Sequence, residues 1–316
     1  MKLVLPGGSG HLGQLLAQAF TRDGHEVVVL GRHRPQHGRG VGWDGRRLGP
    51  WAAELDGADA VINLAGRSVN CRYTKTNLTH MLASRVDATR VVGQAIQQAQ
   101  HPPPVWLQMS TATIYAHRFA AANDEWTGCL GGHEPGAPAY WRMSVEIATA
   151  WERTLAEASM PATRKVALRT AMVMDVAPGG TFDLLSRLVC CGLGGPLAGG
   201  RQYVSWIHAH DFVRAVQFLL ARSDLAGPVN LAAPTPLPQG AFMAALRRAS
   251  GVRLALPASA WMARLGAIVM GTDAELVLKS RRVVPGRLIA AGFVFTFPDW
   301  PAAAADLVAH RTQRRP

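Results

Sequence analysis

Lys2-Leu3-Val4-Leu5-Pro6-Gly7-Gly8-Ser9-Gly10-His11-Leu12-Gly13 opens the chain, and an apolar helical run through Leu15, Leu16 and Phe20 follows it. A short β-type run feeds a glycine turn and the turn feeds a helix, which is the context a dinucleotide fingerprint requires. The glycines fit G-x-G-x-x-G at Gly8, Gly10 and Gly13, and also G-x-x-G-x-x-G at Gly7, Gly10 and Gly13. The first lets the chain turn tightly, the middle one lets backbone approach a pyrophosphate, and the last lets the helix pack close to the strand. The helix N-terminus then offers free N–H groups and a positive dipole end to phosphates. A plain βα turn would carry similar glycines, so the order strand, turn, helix bears the weight of the reading.

The remaining composition is that of an α/β protein. The 316 residues suit two domains or one large domain with an appendage, and 48% are hydrophobic, enough for a large core. No run of 18 apolar residues is present, so no membrane helix is expected. The start is too short in apolar residues for a signal peptide. Cys71, Cys129, Cys190 and Cys191 make no C-x-x-C pair, which fits a reducing, cytoplasmic compartment. The formal charge of +12 comes almost wholly from arginine, with lysine only at positions 2, 75, 165 and 279. The basic residues are spread out, apart from a short cluster at Arg311, Arg314 and Arg315. That favours a solvated surface and anionic small ligands over a specific nucleic-acid partner.

In chain order, a second strand runs over Glu26–Leu30 and ends in Gly31-Arg32-His33-Arg34. An acidic residue there would hold a ribose 2′-hydroxyl; a guanidinium instead suits a 2′-phosphate, so NADP(H) is expected over NAD. The third strand is expected at Gly40–Trp43 and the fourth at Ala58–Asn63, ending in the small residues Leu64-Ala65-Gly66 that let a cofactor cross the sheet edge. A helix over Thr74–Gln98 turns Leu78, Leu82 and Val86 to the core and brings Arg85 close to that face. An inward arginine needs an anionic partner, a cofactor phosphate or a buried carboxylate. The fifth strand, Val105–Met109, leads into Ser110-Thr111-Ala112-Thr113-Ile114-Tyr115, hydroxyls placed where a nicotinamide would lie. A helix over Tyr140–Ala158 carries Trp151-Glu152, and a sixth strand spans Arg164–Met174 with Arg169 in its middle.

Beyond Pro178-Gly179-Gly180 the alternation becomes irregular. Asp211 reads as the N-cap of a helix reaching Ala221. His208 and His210 lack a third ligand at a supporting spacing, so no metal is expected. Val229-Asn230-Leu231 reads as a strand rejoining the main sheet, and helices follow near Gln239–Ala249, Ala258–Val269 and Asp273–Ser280. A last short strand is expected at Gly292-Phe293-Val294-Phe295, before a helix after Pro298.

These motifs together resemble the atypical branch of the extended short-chain dehydrogenase/reductases, the "epimerase family" with a C-terminal domain of unknown function. The match covers nearly the whole chain: besides Gly7–Gly13, Asn63–Gly66, Ser110–Tyr115 and Trp151-Glu152, it takes in Gly194-Gly195-Pro196-Leu197, Ser205-Trp206-Ile207-His208 and Gly227–Leu231. The resemblance implies a Rossmann-type doubly wound parallel sheet at residues 1–175, rejoined by a strand at 227–232, with a smaller C-terminal α/β substrate lobe at 176–316. It implies cofactor contacts at Gly7, Gly10, His11, Leu12, Gly31, Arg32, Leu64, Ala65, Arg85 and Arg169. Pro6 stands where a threonine is usual.

Most of that superfamily uses a tyrosine with a lysine four residues later. No such pair exists here; Ser144 and Ala148 occupy the positions counted back from Trp151-Glu152, and neither can do that work. The expectation is an NADP(H)-binding oxidoreductase/epimerase-like protein, monomer or homodimer, acting on a small polar or anionic substrate. Ser110 would orient a substrate oxygen. Tyr115 would either donate the proton or merely wall the cleft. The other reading is a non-catalytic NADPH-binding redox sensor.

Overall fold

The structure, a computed structural model, describes residues 1–138 and 140–313. Arg314 and Arg315 of the basic cluster lie outside the described residues. Seven parallel strands form the main sheet: β1 Lys2–Pro6, β2 Glu26–Gly31, β3 Arg39–Gly42, β4 Ala60–Asn63, β5 Val105–Thr111, β6 Arg164–Thr170 and, far along the chain, β10 Gly227–Leu231. Their order is β10-β6-β5-β4-β1-β2-β3. The main-sheet strands expected from sequence are present within a few residues, and the late strand does rejoin the sheet, Val229 pairing Leu168 and Asn230 pairing Arg169.

The near-continuous apolar runs of β1, β2 and β4 follow from burial on both faces. Leu3, Leu5, Leu107 and Leu168 point to the side covered by α1 (His11–Arg22) and α5 (Ala209–Ala221). Val4, Val61 and Trp106 point to the side of α2 (Lys75–Gln98), with α3 (Trp141–Glu157) packed beside it. Period-two alternation thus assigns each strand residue to a layer.

Four sequence expectations are corrected. On α2 the buried line is Met81, Arg85, Ala88, Thr89 and Val92, whereas Leu82 is exposed and Leu78 and Val86 are half-buried. The stripe is rotated by one residue because the helix packs over the sheet and α3 through its small residues. The sixth strand is broken after Thr170; β7 (Met172–Met174) leaves the sheet to pair with β9 (Trp206–His208). Asp211 is not a cap: His208 caps α5, accepting from the His210 N–H at 3.1 Å, while Asp211 takes the N–H groups of Thr296 and Phe297 at 2.9 and 2.8 Å. Those two bonds hold the segment after Gly292 as an irregular run, so Gly292–Phe295 is no strand; its Phe293 packs edge-on to Phe218 and Phe295 instead.

The remaining elements include α7 (Ala260–Val269), α8 (Glu275–Leu278) and α9 (Gly286–Ala290), which packs on β10 with Leu288 in the core of the main sheet. A second layer system is built from α4 (Thr181–Cys190), a two-residue ladder of β8 (Tyr203–Val204) with β11 (Leu237–Pro238), α6 (Gln239–Ala249) and α10 (Trp300–Gln313). Their core is aromatic, with Trp300 stacked on Phe242 at 3.9 Å and edge-on to Trp206. Among the described residues no helix is long and apolar enough to cross a membrane.

Candidate functional site

The glycine turn is a cradle that side chains would fill. Gly7 holds φ +74°, and a Cβ there would stand 2.6 Å from the backbone of Ala65. A Cβ on Gly13 would meet the Gly8 backbone at 2.3 Å, so α1 rides directly on the turn. Gly10 caps α1 with no side-chain bond, which leaves the first N–H groups of the helix, from His11, Leu12 and Gly13, without intrahelical partners. Gly31, at the end of β2, abuts the Ser9 hydroxyl, and a Cβ there would lie 2.7 Å from it. Arg32 follows as an exposed residue. Leu64 and Ala65 face this turn from the end of β4, and Gly66 lies against Arg85. These donors and this bare backbone fit a dinucleotide: N–H groups for its phosphates and a guanidinium beside the adenosine end.

His11 adds something the glycine pattern does not foretell. Its Nε2 stands 2.7 Å from Asp175 Oδ2 just after β7, and that hydrogen bond holds the imidazole above its ordinary pKa. The pair sits on a cleft of about 800 Å³ whose walls include Gly10, Pro178, His210 and Asp306. His208 points its Nε2 at Asp306, 3.2 Å away, so it is engaged with a carboxylate. Among the described residues no group of three or more His, Cys, Asp or Glu side chains is arranged to hold a metal ion.

Arg85 is inward, as expected, but among the described residues no carboxylate meets it. It donates to the carbonyls of Met81 and Arg67 at 3.0 and 3.1 Å and lies over the Trp151 ring at 4.9 Å. Burial lowers it to about 10.

A polar row crosses the carboxyl ends of three strands. Ser110, Arg169 and Asn230 are register partners on β5, β6 and β10, so their side chains share one face. Glu152 of α3 reaches down to them. It accepts from Arg169 Nε at 2.9 Å and Nη2 at 2.8 Å, and from the Ser110 hydroxyl at 2.6 Å. Although burial opposes its charge, Glu152 keeps Arg169 above its ordinary value. The Tyr115 hydroxyl accepts from Arg169 Nη1 and donates to Asn230 Oδ1, both at 2.9 Å. Tyr115 is 1% exposed, and burial pushes its phenol up despite Arg169. Of the two expectations for Tyr115, this geometry favours the ring that walls the cleft, since its hydroxyl hydrogen is engaged with Asn230. Ser110 has likewise committed its hydrogen to Glu152, and Arg169 is an inner ion-pair partner more than an open ligand for phosphate.

A second cluster escaped the sequence reading. Ser144 donates to Glu275 Oε2 at 2.6 Å across 131 residues of chain. Lys279 Nζ stands 3.7 Å from Glu275 Oε1 and donates to the Thr113 carbonyl at 3.0 Å. Arg281 Nε donates to the Thr113 hydroxyl at 3.1 Å. Burial raises Glu275 and lowers Lys279 to about 8. Tyr73, just before α2, stands beside Ser144, with its phenol pushed up by burial and by Glu275. Outside it opens a cleft of about 230 Å³ flanked by Arg72, Tyr140, Arg264 and Thr272. Ala148, one turn after Ser144, packs on Ile114 and Tyr115. The only sequence signal for this cluster was one of the chain's four lysines followed closely by Arg281.

Residues 3–130 match the NAD dependent epimerase/dehydratase family, and residues 258–307 match a domain of unknown function, DUF1731. The mouse epimerase family protein SDR39U1 is 31% identical over 315 residues, 98% of this chain and 100% of that protein. The Bacillus subtilis epimerase family protein YfhF is 29% identical over 98% of this chain and 99% of its own length. In structure, the chain is similar to human SDR39U1 isoform 2, crystallised with NADPH, at a TM-score of 0.84 and 28% identity over 98% of this chain and 99% of that one.

Proposed function

Because the chain belongs to the epimerase family, we propose that it binds NADP(H) in the glycine cradle and serves as an oxidoreductase/epimerase-like enzyme for a small polar or anionic substrate. The observation that carries this is the approach of Gly7 to Ala65 and of Gly13 to Gly8, which leaves the N-terminus of α1 bare. NADPH in the crystals of the human relative supports the same reading. In it, Gly7, Gly10, His11, Leu12 and Gly13 hold the pyrophosphate, Gly31 and Arg32 take the 2′-phosphate end, and Leu64, Ala65 and Gly66 leave room for the adenosine half. The cofactor, when bound, supplies or takes a hydride. The Glu152-centred row holds Ser110 and Arg169 in fixed orientations.

Calorimetric titration of the full chain with NADPH and NADH tests the binding. Micromolar NADPH with much weaker NADH supports it; no affinity for either overturns it. Consumption of NADPH against aldehydes, ketones and nucleotide sugars then separates the enzyme from a second reading, a non-catalytic NADPH sensor. That reading is favoured by one observation, the locked Tyr115 hydroxyl, and it predicts binding without turnover.

A further inference from the structure

The Ser144–Glu275–Lys279 cluster combines features that a purely structural ion pair lacks. Glu275 is fully buried, yet its Oε1 has no hydrogen-bond partner among the described residues. The nearest cation, Lys279 Nζ, stops at 3.7 Å, outside hydrogen-bond range. Buried carboxylate oxygens are ordinarily satisfied. An open one beside a buried ammonium is an arrangement that can take up and release a proton. The cluster also has an outlet: Glu275 Oε2 bonds Ser144, Ser144 neighbours Tyr73, and Tyr73 lines the 230 Å³ cleft. Its position is that of a ligand site, since Lys279 and Arg281 both grip Thr113, in the turn that leaves the carboxyl end of β5.

We propose that Tyr73 meets the substrate oxygen, and that Ser144, Glu275 and Lys279 are positioning residues that move its proton in place of the missing tyrosine–lysine pair. This rests on the NADP(H) reading above. When a substrate alcohol is oxidised, its C–H bond breaks and the electron pair leaves as hydride for the nicotinamide. Its O–H proton passes to the Tyr73 oxygen as the Tyr73 proton passes to Ser144, and the Ser144 proton passes to the Glu275 carboxylate. The carbon–oxygen double bond forms, and all charges balance. Carbonyl reduction is the reverse. Lys279 fixes how readily Glu275 accepts. The cleft is smaller than the roughly 300–1,000 Å³ of ordinary ligand sites, and in its lining the two guanidinium groups of Arg72 and Arg264 outweigh the one carboxylate, Asp273. The substrate class is therefore a compact, anionic hydroxy or carbonyl compound in place of a nucleotide sugar.

The test is the proton released when NADP⁺ binds, from calorimetry of the full chain in two buffers of different ionisation heat between pH 7 and 9. A cationic nicotinamide near the relay favours its deprotonated form, so binding and proton release are linked. The groups facing Glu275 and Lys279 are Tyr73, Asp273, Arg281, Glu134 and His117. Wild type should release a fraction of a proton over this pH range. Tyr73→Phe and Ser144→Ala should each remove most of that release and still bind NADPH; Glu275→Gln should abolish it. A cluster that only fastens the C-terminal segment would leave the release absent or identical in Ser144→Ala, which overturns the relay. If NADP⁺ and NADPH fail to bind at all, the cofactor reading fails first and the relay with it.

Discussion

Arg169 and Glu152 meet edge to edge beneath the carboxyl ends of β5 and β6, with Nε on Oε1 at 2.9 Å and Nη2 on Oε2 at 2.8 Å. A planar fork on a planar carboxylate fixes both side chains, and Ser110 and Tyr115 take their orientations from that fork.

Removing one partner leaves the other buried without its counter-charge. Glu152→Ala should therefore lower unfolding free energy by about 3 kcal/mol, the low end for a buried pair since both partners keep some exposure. Urea denaturation of Glu152→Leu combined with Arg169→Met should show a smaller loss than Glu152→Ala alone. A larger loss in the double variant would mean the pair is a net stabiliser.

Gly13→Ala should disable cofactor binding more than folding. Its Cβ would lie 2.3 Å from the Gly8 backbone, so α1 must move off the turn. Losing even one charge-assisted bond of about 1.5–3 kcal/mol costs roughly tenfold or more in NADPH affinity. Gly24→Ala is the comparison: Gly24 has a positive φ, +79°, and open space around it. It should cost about 1 kcal/mol in stability and leave affinity unchanged.

Arg32→Ala should weaken NADPH roughly tenfold or more and leave NADH nearly unchanged, since one guanidinium–phosphate bond is worth about 1.5–3 kcal/mol. Equal losses for both cofactors would place the 2′-phosphate elsewhere.

His11 and Asp175 give a pH dependence with a definite sign. The hydrogen bond raises the His11 pKa above its unfolded value of about 6.5. Its stabilisation is then complete below that value and fades as pH rises through the folded pKa. Melting temperatures of wild type and His11→Gln should differ most near pH 6 and converge toward alkaline pH. A gap that widens with pH would show that the neutral imidazole makes the bond.

The sheet and the cradle were legible in sequence because both rest on local pattern. Apolar runs ending in Gly7, Gly31 and Ala65 leave few other arrangements. The α2 stripe was misread because its inward face is built from Ala88, Thr89 and an arginine, so the larger Leu82 looked like the core residue. Gly292–Phe295 has a strand's composition, but a distant carboxylate, Asp211, takes the N–H groups just beyond it. Ser144 looked inert for the same kind of reason. Its partner is 131 residues away, and nothing local to either residue announces the contact.

The place of β10 also sets an order of events during synthesis. Domains form from the N-terminus as the chain emerges, at ~5–20 residues per second. Until Gly227–Leu231 has been made, β6 is a bare sheet margin, and such margins recruit other strands. The acid at Glu275 arrives later still. On the readings proposed above, a nascent chain completes its cofactor cradle long before the Glu275 cluster. Any stall between Thr170 and Gly227 would expose a sticky edge before the second cluster exists.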